Sequence, residues 1–207
     1  MLSAQLKNGN MSYKHTKVRG YKDKELLDRV SKLDSFKGFP TGYWILGVQS
    51  KEDTYNHFDD KFYLFKGRKF VMVTTGTTNA GTTGIQNYER YTDKGVLVVK
   101  TDEWYHGLWK YGMHRKRMPA LRQIRPIKYF RDWNKNECIE EIGKGYQGMR
   151  GVNFHTVTYQ KNVSLIKKLI GGWSAGCQVV NNVRKYYKML GYCKEQPYVT
   201  YCLIKEF

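Results

Sequence analysis

A cysteine flanked by small residues is the first feature of this sequence that could do chemistry. The stretch G-G-W-S-A-G-C-Q-V-V places Cys177 directly after Gly176. Small neighbours let a substrate carbonyl approach the backbone N–H groups beside a nucleophilic sulfur. We therefore interpret Cys177 as a candidate nucleophile and the N–H groups of Gly176 and Cys177 as candidate oxyanion donors. The alternative is a core cysteine without a chemical role, since buried cysteines are common.

A thiol at neutral pH needs a base or a positive neighbour, because the pKa of free cysteine is about 8.5. His155 ends the predicted strand segment G-V-N-F-H, 22 positions before Cys177. Two adjacent strand ends would bring the imidazole within hydrogen-bond reach of the thiol. A third group, either a carboxylate or a backbone carbonyl, must then hold the imidazole in one tautomer. Cys177 and His155 together predict acyl-transfer chemistry.

Metal and cofactor chemistry has no sequence signature here. None of the four cysteines forms a C-x-x-C pair, and the five histidines form no H-x-x-x-H pattern. We therefore expect no zinc site and no cofactor. Cys193 and Cys202 could pair across a terminal hairpin, but without a secretion signal we expect free thiols.

The composition and net charge of the chain limit the kinds of protein it can be. The 207 residues are 41% hydrophobic and carry a net charge of +18. This excludes a disordered chain and predicts an affinity for polyanions such as anionic cell-envelope polymers. The alternative is a basic surface without a dedicated partner. No apolar run is long enough for a membrane span or a signal peptide, so we expect synthesis in the cytoplasm.

The elements that must position these residues are mostly strands. Alternating apolar residues predict strands in Y-W-I-L-G-V-Q, in the pair K-F-Y-L-F and F-V-M-V-T-T, and in the segments around V-L-V-V, P-I-K-Y-F, N-F-H-T-V and Y-V-T-Y-C-L-I. The polar stretch Gly76 to Gly84 predicts a loop. The segment from Gly107 to Gln123 is predicted to be irregular, with a helical turn from Met118 to Gln123.

Two helices complete the prediction of an α+β, mostly β fold. Leu26, Leu27, Val30, Leu33 and Phe36 form an apolar stripe in a short amphipathic helix near the N-terminus. A second helix follows Cys177, with an Asn cap and a closing Gly191. We divide the chain into an N-terminal extension, residues 1–40, and a main domain, residues 41–207. The first helix either packs on the main domain, which we favour, or docks elsewhere.

The segment from Tyr63 to Val180 resembles the catalytic domain of the L,D-transpeptidases, the cysteine enzymes of peptidoglycan. The resemblance rests on His155 at a strand end, a spacer, and then Ser174, Gly176 and Cys177 in the place of S-H-G-C. Ala175 replaces the motif histidine, and the spacer has 18 residues. The S-A-G-C variant looks most like cysteine proteins of this type from bacteriophages. The resemblance implies an L,D-transpeptidase-like β-sandwich or mixed sheet.

The resemblance also implies roles for the site residues. Cys177 would attack a peptide carbonyl, and His155 would take the thiol proton while the Thr156 carbonyl orients its ring. Ser174 would brace the turn through its hydroxyl, or else only cap it. Three further residues are candidates for contact with substrate: Trp173, His114 and Arg131. Each has a structural alternative, namely a core or cleft wall for Trp173, a solvated basic loop for His114, and local polar contacts for Arg131.

The implied substrates are peptidoglycan stem peptides, cleaved through a thioester by an endolysin-like peptidase or carboxypeptidase. The enzyme would act at the cell wall or periplasm after release during lysis, or from a virion. One alternative is a transpeptidase that joins or exchanges stem peptides. Another is a non-catalytic basic binding or virion protein. We expect no nucleic-acid partner, because no nucleic-acid motif is present. The sequence makes no prediction about the oligomeric state.

Overall fold

The computed structural model describes residues 18–90, 92 and 94–207 of the chain. The predictions that concern the first 17 residues, including the lack of a signal peptide, lie outside this range. Within it, the helices are α1 (Asp23–Ser31), α2 (Thr82–Gln86) and α3 (Val183–Cys193), with a short 3-10 helix at Tyr88–Arg90. The strands are β1 (Tyr43–Gln49), β2 (Asp60–Lys66), β3 (Lys69–Thr77), β4 (Val96–Val99), β5 (Glu103–His114), β6 (Met118–Gln123), β7 (Ile127–Asp132), β8 (Tyr146–Gly148), β9 (Phe154–Thr156), β10 (Gln178–Val180) and β11 (Val199–Lys205).

Eight of these strands close into a barrel, in the order β1-β11-β5-β6-β9-β10-β3-β2. Strands β4, β7 and β8 form a separate sheet. In the barrel, β1 with β11 and β9 with β10 are parallel, whereas the other neighbours are antiparallel. The predicted α+β, mostly β class with a mixed sheet is confirmed. The predicted sandwich is not what forms, because closing the ring pairs the edge strands that two facing sheets would leave open.

The strand predictions at both ends of the domain are confirmed. Strand β1 has the predicted bounds, β2 and β3 form the predicted hairpin around Gly67, and β11 covers most of the predicted terminal strand. The stretch from Gly76 to Gly84 is a loop only in its middle, since β3 continues to Thr77 and α2 begins at Thr82.

The region predicted to be irregular is a long hairpin of β5 and β6. The prediction of a helical turn from Met118 to Gln123 is wrong, because this segment is strand β6 and pairs with β5 from His114 to Trp109. Met, Ala, Leu and Gln favour helices intrinsically, but burial of Met118, Ala120 and Leu121 in the barrel overrides that preference.

Helix α1 packs on the barrel, as the favoured alternative predicted. Leu26, Leu27 and Val30 are buried in one apolar cluster with Trp44 and Trp104 of the barrel strands. The predicted helix was too long, since α1 ends at Ser31, but Leu33 and Phe36 still pack in this cluster from the segment that follows. The Trp104 indole N–H also donates to the Val30 carbonyl, at 2.9 Å. The division at residue 40 remains a prediction, but the helix shares a core with the strands that follow.

Helix α3 follows β10 and holds the end of that strand against the core. The Asn182 side chain caps the helix by accepting from the Lys185 N–H at 3.0 Å, as predicted. The helix continues two residues past the predicted stop at Gly191, to Cys193. Its Tyr186 hydroxyl donates to the Pro119 carbonyl of β6 at 2.7 Å. Among the described residues, no helix is both long and apolar enough to cross a membrane.

Candidate active site

The candidate nucleophile and base lie on neighbouring parallel strands. Cys177 directly precedes β10, whose Val179 is opposite His155 of β9. The Gln178 N–H donates to the Asn153 carbonyl at 3.0 Å and so ties the start of β10 to the chain entering β9. The expectation that two adjacent strand ends bring Cys177 and His155 together is confirmed at the level of the backbone.

The two side chains open into the same cavity, which has a volume of about 730 Å³. Seven of the eight residues singled out in the sequence line it: His114, Arg131, His155, Trp173, Ser174, Gly176 and Cys177. The eighth, Thr156, is buried and contacts the His155 ring from outside the cavity lining. The candidate residues therefore surround one space that is large enough for a short peptide.

The His155 ring is oriented for proton transfer. Its Nδ1 lies 2.8 Å from the Thr156 carbonyl, which can only accept, so Nδ1 carries the proton. The Thr156 hydroxyl in turn donates to the Val180 carbonyl at 2.8 Å, which holds β9 against β10. Nε2 is buried and has no hydrogen-bond partner in the described part of the chain. A buried ring nitrogen with an unused lone pair is the arrangement that a general base requires.

The Cys177 thiol has a different partner in this structure. Its Sγ donates to the Gly151 carbonyl, at 3.6 Å. The predicted hydrogen bond from the thiol to His155 is therefore not formed, although both groups border the same cavity. Catalytic hydrogen bonds are often long or misaligned before substrate binds.

Ser174 braces the turn that presents Cys177, as predicted. Its hydroxyl accepts from the Gly176 N–H at 3.1 Å and donates to the Cys177 carbonyl at 2.9 Å. The Ser174 carbonyl accepts from the Gly81 N–H at 3.0 Å. Because the Gly176 N–H is already engaged, the prediction that it serves as an oxyanion donor is wrong for this arrangement. The Cys177 N–H has no acceptor among the described residues and is left as the donor next to the sulfur.

Packing and backbone conformation both require a glycine at position 176. Its φ is +123°, a conformation that residues with a side chain rarely adopt. A Cβ at this position would lie 2.7 Å from the Leu97 carbonyl oxygen and 2.8 Å from the Leu97 Cβ. The sequence explained this glycine only by the room that a substrate carbonyl needs. The structure adds a second reason, because strand β4 passes directly behind the turn.

His114 belongs to the site and not to a solvated loop. Its ring stacks on the His155 ring, with centroids 4.3 Å apart and an interplanar angle of 20°. Its Nδ1 is 3.0 Å from the Asn153 side-chain amide, which donates to it. His114 ends strand β5, so the hairpin that the sequence did not predict brings this second imidazole to the site.

Both imidazoles are neutral at physiological pH. Burial, together with the nearby His114 and Arg115, lowers the pKa of His155 to about 3, against the opposing hydrogen bond to Thr156. Burial likewise lowers the pKa of His114 to about 4, with Arg115 acting in the same direction. Both rings are therefore uncharged over the whole neutral range.

The Cys177 thiol is protonated in the same range. The residue borders the cavity and is only partly buried, but the protein atoms around its sulfur raise the pKa of the thiol. The Asn153 backbone and Arg115 act in the opposite direction and do not overcome this effect. A neutral thiol beside a neutral His155 points to proton transfer during attack, not to a preformed thiolate–imidazolium pair.

Trp173 and Arg131 form parts of the cavity wall. Trp173 lies 5.6 Å from the Tyr159 ring, measured between centroids. Arg131 donates to the Gly95 carbonyl at 3.0 Å and lies over the Tyr129 ring. Arg131 therefore makes local polar contacts and also lines the cavity, two roles that the sequence had presented as alternatives.

Two charged residues of the cavity wall were missed in the sequence. Arg115 and Arg150 line the cavity, but the first lies in a basic run that resembles a solvated loop and the second in a glycine-rich stretch without a motif. An Asn-Gly or Asp-Gly pair would have predicted a hairpin between β5 and β6, with Arg115 in its turn. The sequence has neither pair at this position.

The remaining predictions for the site concern metals and thiol pairing. In the described part of the chain, no group of three or more His, Cys, Asp or Glu side chains is arranged to hold a metal ion. All four cysteines lie in that part and are free thiols, so Cys193 and Cys202 are not paired.

Comparison with protein-family models, with curated proteins and with solved structures finds no match to this chain.

Proposed function

We propose that the protein is a cysteine hydrolase that cleaves peptidoglycan stem peptides through a thioester intermediate. One observation carries the proposal: Cys177 and His155 border the same cavity from adjacent parallel strands, and the His155 Nε2 is oriented, deprotonated and without a partner among the described residues. A nucleophile, a base and a tautomer-fixing carbonyl are the three parts of a thiol acyltransferase site.

The reaction begins when a substrate carbonyl enters the cavity next to Cys177. The thiol exchanges the Gly151 carbonyl for Nε2 of His155 and gives up its proton to that nitrogen as sulfur bonds to the carbonyl carbon. The carbonyl π electrons move to oxygen, which the Cys177 N–H stabilises. When the carbonyl re-forms, the C–N bond breaks and Nε2 returns the proton to the leaving amine.

Hydrolysis of the thioester uses the same groups. Water gives a proton to Nε2 as its oxygen attacks the acyl carbon, and the C–S bond then breaks. The departing sulfur recovers the proton, so that a carboxylic acid product and the neutral thiol result. Neither half of the cycle requires a lasting charge on His155 or Cys177, in agreement with the directions of their pKa shifts.

The choice of peptidoglycan as substrate is supported by the resemblance around His155, Ser174 and Cys177. The net charge of +18 would favour approach to anionic envelope polymers. We propose that the enzyme takes part in bacterial lysis and reaches the cell wall after release from the cytoplasm or from a virion.

The test is digestion of purified sacculi, with the released muropeptides resolved by mass. Wild type should release new fragments and Cys177→Ala should release none. Cys138→Ala is the matched control, because Cys138 is an exposed free thiol that does not line the cavity. Fragments from both cysteine variants would reject Cys177 as nucleophile. Products that form only with an added amine acceptor would instead identify a transpeptidase, and no products at all would favour a binding protein.

A further inference from the structure

Three arginines from separate segments give the cavity a one-sided charge. Arg115 follows β5, Arg131 is in β7, and Arg150 lies in the segment after β8. Among the described residues that line the cavity, none is an aspartate or a glutamate. The wall therefore carries positive charge that its own lining does not neutralise.

The partners of these arginines are neutral. Arg150 donates from Nε to the Tyr129 hydroxyl at 2.5 Å, and Arg131 donates to the Gly95 carbonyl at 3.0 Å. Both guanidinium groups lie over the face of the Tyr129 ring, at 5.4 and 5.3 Å from its centroid. No ion pair involves either of them, or Arg115, in the part of the chain that the structure describes. Each guanidinium keeps donors that a carboxylate could accept from.

Arg115 is held beside the reacting groups by a strained turn. The Arg117 N–H donates to the His114 carbonyl at 3.0 Å, which closes a tight turn with Arg115 and Lys116 in its centre. Their φ values are +48° and +57°, in the left-handed region that Gly and Asn usually occupy in such turns. Residues with a side chain adopt this conformation only at an energetic cost, and such strain clusters at functional sites.

We propose that the cavity recognises a free carboxylate of the peptide substrate, which Arg115 binds next to the scissile bond while Arg131 and Arg150 provide the rest of a basic wall. This proposal takes the bound peptide to be the one that Cys177 cleaves, and that part rests on the function proposed above. The carboxylate preference itself rests on the arginines and the absence of lining acids among the described residues. Arg115 also lowers the pKa of both Cys177 and His155, which agrees with a position close to the reacting atoms.

The experiment measures binding separately from turnover. Calorimetry with the full chain carrying Cys177→Ala compares a stem tetrapeptide that has all its carboxylates free with matched peptides in which one carboxylate at a time is a carboxamide. We expect one of these amides to bind about five- to tenfold more weakly, because charge-assisted hydrogen bonds are roughly twice as strong as neutral ones.

Two further variants assign the preference to a residue. Arg115→Gln in the same background should bind the acid and that amide about equally. Lys116→Gln removes the same charge from the same strained turn, but Lys116 does not line the cavity, so the preference should remain. If Arg115→Gln fails to fold, Arg131→Gln replaces it and should reduce the preference severalfold.

The outcomes separate the two proposals. Equal binding of all peptides, or a preference that Arg115→Gln and Arg131→Gln both leave intact, overturns the carboxylate site even if wild type cleaves stem peptides. A preference lost equally in Lys116→Gln shows a general field effect and also overturns it. A preference that depends on Arg115, without any turnover by wild type, supports the carboxylate site and refutes the hydrolase.

Discussion

The imidazole rings of His114 and His155 lie face to face, with centroids 4.3 Å apart. His114 ends β5 and His155 belongs to β9, so the barrel brings together two histidines that are 41 positions apart in the sequence. One face of the candidate base is thereby covered by a second ring, while its Nδ1 is fixed by the Thr156 carbonyl. The stack restricts how the base can move.

Removal of the His114 ring should therefore slow the reaction more than it weakens binding. We expect His114→Ala to lower kcat about tenfold with little change in KM, since an aromatic stack contributes about 0.5–1.5 kcal/mol. His114→Phe keeps a ring against His155 but loses the hydrogen bond to Asn153, so its loss should be smaller. Steady-state kinetics of both variants check this, and a Phe variant that is as slow as Ala would show that stacking is not what matters.

The pH profile of kcat/KM should lack the decrease near pH 6.5 that protonation of an ordinary histidine base causes. Because burial lowers the pKa of His155 to about 3, the base stays unprotonated well below the ordinary histidine pKa near 6.5. We expect kcat/KM to stay level from pH 7 down to about pH 5 and to fall only in more acidic solution. An acidic limb centred near pH 6.5 in a pH–rate profile would contradict the buried, neutral base.

Gly176 and Gly191 should respond in opposite directions to the same change. Gly176→Ala places a Cβ 2.7 Å from the Leu97 carbonyl at a φ of +123°, and we expect it to cost about 2 kcal/mol or more. Gly191 lies inside α3 with nothing within 4 Å of an added Cβ, so Gly191→Ala should stabilise by about 0.5–1 kcal/mol. Urea unfolding of the two variants makes the comparison. Equal effects would show that contact with Leu97 does not restrict the turn.

The Asp53 carboxyl should make the fold less stable in alkaline solution. Burial and the nearby Asp59 raise the pKa of Asp53 to about 7. Since the folded state binds this proton more tightly than the unfolded chain, the contribution of Asp53 to stability is present below pH 4 and is lost as the pH rises through 7. Asp53→Asn should thus be more stable than wild type by roughly 1–2 kcal/mol at pH 8 and about equal to it near pH 4.

Thermal unfolding at both pH values checks the Asp53 prediction. Asp28→Asn makes the same chemical change on an exposed face of α1 and should show no such pH-dependent gain. A gain for Asp53→Asn that is equal at pH 4 and pH 8 would mean that proton binding is not its cause.

The sequence located the residues that line the cavity better than it located the strands that carry them. Alternation located β1, β2, β3 and β11, and the expected neighbourhood of His155 and Cys177 is met to the extent that β9 pairs with β10, the strand that Cys177 directly precedes. These features are local, because they depend on side-chain periodicity and short turns.

The missed features depend on contacts between distant segments. Strand β6 contains good helix formers and becomes a strand only through pairing with β5 and burial in the barrel. The turn at Arg115 and Lys116 carries no glycine, so nothing local marked the hairpin that delivers His114 and Arg115 to the cavity. The reason for Gly176 also lies elsewhere in the chain, in the approach of Leu97.

The most direct measurement of the central claim is mass spectrometry of the intact protein, quenched in acid during reaction with a stem peptide. A thioester should add the mass of the acyl fragment, and peptide mapping should locate it on Cys177. Cys138→Ala should give the same adduct, and Cys177→Ala none. Turnover without any adduct on Cys177, or an adduct that persists in Cys177→Ala, would contradict the proposed thioester mechanism.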